Sequence, residues 1–140
     1  MKTLLLATAT IVGLTGSVSS ALAELNLTDR PAMMQLADDL LSCVITFNLM
    51  ALKAPDGSLR TAREKDAADY SIATLHLYKL LKVLDDEALA RARWNVMFEH
   101  VKWADAQGAL DVEMKVCSHI EPLQRELVAR WRLHQPSDGE

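Results

Sequence analysis

From residue 30 onward the chain offers very few places to stop a helix. Its only glycines there are Gly57, Gly108 and Gly139, and its prolines are Pro31, Pro55, Pro122 and Pro136. Between those points apolar residues recur at intervals of three and four, and no stretch sustains the two-residue alternation of a half-buried strand. The chain is therefore expected to be all-α. A first helix runs from about Pro31, placed at the first helical position after a capping Asp29, to about Ala54. Pro55-Asp56-Gly57-Ser58 makes a turn. Thr61-Ala62-Arg63-Glu64 has the spacing of a capping box, so the second helix starts at Ser58 or Thr61 and continues to Leu84. Asp85-Asp86-Glu87 would cap and charge a third helix ending near Gln107-Gly108. The fourth spans about Leu110 to His134, with a bend expected near Pro122, which removes a helical hydrogen bond.

Each helix carries one apolar stripe. Leu36, Leu40, Val44, Phe47 and Ala51 form the first; Tyr70, Thr74, Leu77, Leu81 and Leu84 the second. Ala90, Trp94, Met97, Val101 and Ala104 form the third, and Val116, Ile120, Leu123, Leu127 and Trp131 the fourth. Four such helices on short loops pack most simply as an antiparallel up-down four-helix bundle. Three long helices are the alternative if Asp85-Asp86 only interrupts a continuous one.

The N-terminus has a separate logic. Lys2, the apolar run Leu4 to Leu14 and the small residues ending in Ala21-Leu22-Ala23 have the order of a secretory signal peptide, cleaved after Ala23. A retained anchor would need roughly 20 apolar residues, and Thr8, Thr10, Gly13 and Gly16 interrupt the run. A lipoprotein would need a cysteine at the cleavage point, and the first cysteine is Cys43. The expectation is a leader over residues 1–23 and a single helical domain over 24–140, periplasmic or secreted, with no membrane insertion after cleavage. All 19 acidic residues lie in that domain and the formal net charge of the whole chain is −4, which argues against a nucleic-acid partner. With hydrophobic residues at 50% of positions, the chain is also too apolar to be disordered.

An oxidising compartment and two cysteines make Cys43–Cys117 the expected disulfide, joining the first helix to the last. There is no Cys-x-x-Cys, and both cysteines lie on or beside apolar stripes that disfavour a thiolate, so a redox-active pair is not indicated. Catalytic signatures are also missing. The chain has no Cys-x-x-Cys-His, no His-Glu-x-x-His, no Glu-x-x-His pair, no phosphate-cradling loop and no nucleophile elbow. The acid pairs Asp38-Asp39 and Asp85-Asp86 diverge around a helix by about 100° per residue and read as caps or a solvated face. The sequence thus points to binding rather than catalysis, with no cofactor or metal assigned by a motif.

Among the histidines, His76 reads as a surface residue near Lys79, His100 as a stacking partner of Trp103, and His119 as a surface or boundary residue. His134 continues the line Ile120, Leu127, His134 at the end of the last helix, facing the level where the first helix begins with Met33-Met34. A methionine early in the first helix and a histidine late in the fourth resembles the ligand arrangement of the four-helix b-type cytochromes of the bacterial periplasm, and Arg130 is similar to an arginine of that family. The resemblance covers only Met33 or Met34 and the segment Arg130 to Gln135. It implies a haem- or metal-binding bundle with Met33 or Met34 and His134 as ligands. The disulfide tests this. Met33 lies about 15 Å along a helix from Cys43, and His134 about 25 Å from Cys117, at 1.5 Å per residue. With the cysteines level, Met33 stands opposite Leu127 and misses His134 by roughly 10 Å.

The first helix is unusually apolar. Beside its core stripe runs a second line through Leu41, Ile45 and Leu52, and together they span roughly 220°, where a surface helix needs a stripe of about 100° or more. Either neighbours bury this helix on both sides, or the second line is an exposed interface for a protein partner or a homodimer. Asn48, inside the arc, would need a buried hydrogen-bond partner. A protein-interaction module using Leu41, Ile45 and Leu52 is the leading expectation, and the haem or metal carrier is the alternative.

Overall fold

A computed structural model of the protein describes residues 29–135; the expected leader over residues 1–23 lies outside them. Four helices follow one another, α1 (Arg30–Leu52), α2 (Gly57–Leu80), α3 (Glu87–Ala106) and α4 (Leu110–Leu133), with one 3₁₀ turn at Val83–Asp85. The first three each begin where an aspartate accepts an otherwise unpaired backbone N–H: Asp29 from Ala32, Asp56 from Leu59 and Asp86 from Leu89. The capping box expected at Thr61 does not form. Asp56 starts α2 earlier, and Thr61, now inside the helix, donates its hydroxyl to the Gly57 carbonyl. At its other end α2 stops short of Leu84, because Lys82 enters the left-handed region at φ 59°. Leu84 is consequently exposed rather than part of the stripe. α4 continues as one helix through Pro122.

Side-chain pairs fix the helix directions. Tyr78, late in α2, and Arg93, early in α3, both reach Asp38 near the start of α1, and Lys53 just after α1 pairs with Asp105 near the end of α3. Met33 near the start of α1 lines one cavity with Trp131 and His134 at the end of α4, so successive helices run up, down, up and down. Cys43 and Cys117 form the disulfide between α1 and α4, with Cα atoms 5.7 Å apart. The Tyr70 hydroxyl of α2 donates to the Cys117 carbonyl at 2.7 Å, and the Tyr70 ring stacks on Phe47 of α1. One buried knot thus joins α1, α2 and α4.

α1 packs against all three other helices and α2 packs against α4, whereas α2 and α3 make no close backbone approach to each other. Leu41 and Val44 of α1 floor the cleft between them. The wide apolar arc follows from this central position. Leu41 and Ile45 are only 6% and 3% exposed, while Leu52, beyond the packed region, is 75% exposed. The line Leu41, Ile45, Leu52 is therefore not a free face of the folded chain, and the interface expected there is corrected: its first two members are core. Asn48 is exposed, so it needs no buried partner. By length and composition α1 would also suit a membrane span, but here most of it is covered by the rest of the chain. The core stripes of α1 and α2 hold except at Leu84. Those of α3 and α4 are partly open, with Trp94 and Val116 exposed.

Candidate functional site

At the end of the bundle where α1 starts and α2 and α4 finish, the three helices enclose an open-mouthed cavity of about 510 Å³. That size falls within the range of small-molecule sites. α1 contributes Met33 and Leu36; α2 contributes Leu77 and Leu80; α4 contributes Leu127 and Trp131. Four polar side chains complete the lining apart from Gln135: His76 and Lys79 from α2, and Arg130 and His134 from the end of α4. No carboxylate is among the described residues that line it. The groove on the other side of α2 and α4 is different in kind, because there Asp66, Asp69 and Glu121 face Lys65, Arg125 and Arg132 and largely neutralise them.

Helix geometry explains how these groups converge. His76, Leu77, Lys79 and Leu80 occupy the last turns of α2, and Leu127, Arg130, Trp131 and His134 follow the three-and-four spacing of one α4 face. His134 terminates α4, and its Nδ1 lies 2.7 Å from the Arg130 carbonyl oxygen. Since that oxygen can only accept, Nδ1 carries the proton, and in the neutral ring Nε2 keeps its lone pair. A backbone carbonyl holding Nδ1–H is the arrangement that orients histidine ligands of metals. The His76 ring is half-buried. It meets Trp131 edge-on at 6.0 Å between centroids and lies 6.5 Å from the His134 ring. Burial lowers the His76 pKa below the ordinary histidine value, with His134, Arg130 and Lys79 adding to the effect, so the ring is neutral at pH 7. Lys79 lies over the Trp131 ring at 5.7 Å, and Arg130 contacts Glu126 at 3.4 Å.

The sequence-derived candidates separate as follows. Met33 and His134 line the same cavity, whereas Met34 faces α3 in a different groove beside Arg30, Asp38 and Arg93. His76, expected at the surface, is instead a wall of the cavity. No local pattern marked it, because Leu77 of the α2 stripe is one residue away and therefore about 100° around the helix. His100 pairs with Glu113 of α4 at 3.1 Å rather than stacking on Trp103, and His119 is exposed. Asp38 was read as part of a solvated pair, yet it is buried against Arg93 and Tyr78.

No family model, no curated protein and no solved structure matches the chain. Among the described residues no group of three or more His, Cys, Asp and Glu side chains is placed to hold a bare metal ion.

Proposed function

We propose that this is an extracytoplasmic haem-binding bundle, with the end cavity as its site and His134 as the iron ligand. The reading rests on one juxtaposition. A histidine whose Nε2 lone pair is left available stands at the rim of an apolar cavity that also presents Lys79 and Arg130. Leu36, Leu77, Leu127 and Trp131 offer apolar walls to a flat macrocycle, and the two cations suit its carboxylates. A bare cation suits the site less well, because those same cations repel it and the protein ligands are few. The macrocycle supplies four ligands of its own and asks the chain for only one or two. Bound haem would supply an iron centre for electron transfer or a cargo for delivery, while the chain binds, orients and shields it. The leader-like N-terminus and the buried disulfide support a periplasmic or secreted setting.

Haemin titrated into purified protein should give a saturable Soret shift, which His134→Ala should abolish. A wild-type protein that shows no saturable shift removes the proposal.

Self-association is a second reading, favoured by one observation. α3 presents Trp94 stacked on Phe98 along one side and, roughly half a turn around the helix, Val96 with Trp103, all exposed and Trp103 at 63%. The patch around Trp103 suits a second copy of the chain. Light scattering should then detect a dimer that Trp103→Glu disperses; a wild-type protein that is monomeric throughout the concentration range rules it out.

A further inference from the structure

We infer that His76 is the second axial ligand, facing His134 from α2, and that Met33 is part of the cavity floor rather than a ligand. This rests on the haem reading above, but concerns a residue that the methionine–histidine pattern does not include.

Two imidazoles that share one metal ion from opposite sides, each with a metal–nitrogen bond of about 2 Å, have ring centres about 6 Å apart. The His76 and His134 centroids are 6.5 Å apart, on two different helices that wall the same cavity.

The disulfide holds Cys43 and Cys117 side by side, with Cα atoms 5.7 Å apart. Counting outward along antiparallel helices, Met33 comes level with Leu127, and His134 stands about 10 Å further toward the mouth. Burial agrees with this order: Met33 is 4% exposed, whereas His134 is exposed. The side chain that meets His134 at its own level is His76. Trp131, edge-on to His76, and Lys79 over Trp131 fix the position of the α2 imidazole from one side.

Apolar walls from α1, α2 and α4 end in a rim of two imidazoles and two cations. The imidazoles would take the iron, and the cations would take the carboxylates at the mouth. The Met33 thioether lies buried about 10 Å below the level of His134, too far to share an iron with it, and fills apolar space at the floor.

The experiment compares the haemin complexes of four proteins by visible absorption and electron paramagnetic resonance, with far-ultraviolet circular dichroism confirming the fold. Wild type is expected to be six-coordinate and low-spin. His76→Ala should still bind haemin but as a high-spin species, with affinity reduced about tenfold or more, and added imidazole should restore the low-spin spectrum by occupying the vacated position. His76→Gln, closer in volume, serves in case the alanine variant fails to fold, and should also be high-spin. Met33→Leu should remain six-coordinate and low-spin, whatever its effect on affinity. If His76 variants stay low-spin while Met33→Leu turns high-spin, Met33 is the ligand and the inference is overturned, with the haem reading intact. A high-spin wild-type complex also overturns it. A wild type that binds no haemin overturns both.

Discussion

Arg93 of α3 places Nη1 2.8 Å from Oδ2 of Asp38 on α1, where the aspartate side chain is only 7% exposed. The Tyr78 hydroxyl of α2 donates to the other carboxylate oxygen at 3.3 Å, so one buried acid joins three helices. Burial raises the Asp38 pKa above its ordinary value, and Arg93 and Tyr78 counteract part of that rise. Arg93→Met removes the opposing charge and should destabilise the fold by about 1–3 kcal/mol at pH 7, less than for a fully buried pair because Arg93 is partly solvated. The sign of the pH dependence follows. A carboxyl whose folded pKa is raised costs stability while ionised, and the cost disappears as pH falls through the folded pKa. Without Arg93 that pKa rises further, so the variant's deficit should shrink between pH 7 and pH 4. Urea titrations of both proteins at the two pH values measure it; a deficit independent of pH would show that the Asp38 charge is not its source.

Cys43 and Cys117 are separated by 74 residues, for which chain entropy alone gives about 4.5 kcal/mol, an upper figure where unfolded chains retain structure. The Cys43→Ala/Cys117→Ala double variant should therefore lose about 2–4 kcal/mol, a large share of a small domain's total stability. Both cysteines are fully buried. Reductant added to the native protein should then act only through opening of the bundle, and its rate should climb with subdenaturing urea. Thiol labelling after timed exposure reads that rate, and rapid reduction in buffer alone would contradict the buried placement.

Periodicity made the helices and the stripes of α1 and most of α2 legible, because each depends on spacing along the chain, and a count of two cysteines behind a leader-like N-terminus left one pairing for the disulfide. The misread features depend on competition or on neighbours. Ser58 and Thr61 were the expected starts of α2, but Asp56, read only as part of a turn, caps the helix from directly before its first turn. The end of α2 was lost because a lysine, not a glycine, takes the left-handed position. Asp38 follows Met34 and precedes Leu41 at helical spacing, which marks its apolar side, but no local pattern reveals that Arg93 arrives from α3. Of the cavity, His134 and Met33 were visible as residues at the right ends of their helices. His76 was not, because only the packing of α2 against α4, rather than against α3, turns it toward His134.

Lys82 at φ 59° and Gly108 at φ 70° end α2 and α3 in the same left-handed conformation. A Cβ there carries a steric cost of roughly 1–2 kcal/mol, partly offset in any glycine replacement by the freer unfolded chain. Lys82→Gly should thus raise stability by about 0.5–1 kcal/mol, and Gly108→Ala should lower it by about 1 kcal/mol although open space surrounds the glycine. Chemical denaturation of the two variants should show these opposite shifts; stabilisation by both would mean that backbone conformation is not what decides them.

Ile45 distinguishes a core helix from a docking face. It is 3% exposed on α1, the helix against which the other three pack, so a carboxylate there has neither water nor a countercharge. Ile45→Asp should abolish the cooperative thermal transition and most of the helicity, since an unpaired buried charge costs several kcal/mol against a total of about 5–15. Ile45→Val, which removes one methylene, should cost only about 0.5–1.5 kcal/mol and leave helicity and haemin binding in place. Circular dichroism melts and a haemin titration on both variants read this. A folded, helical Ile45→Asp protein would return Ile45 to the surface and reopen the interface on α1.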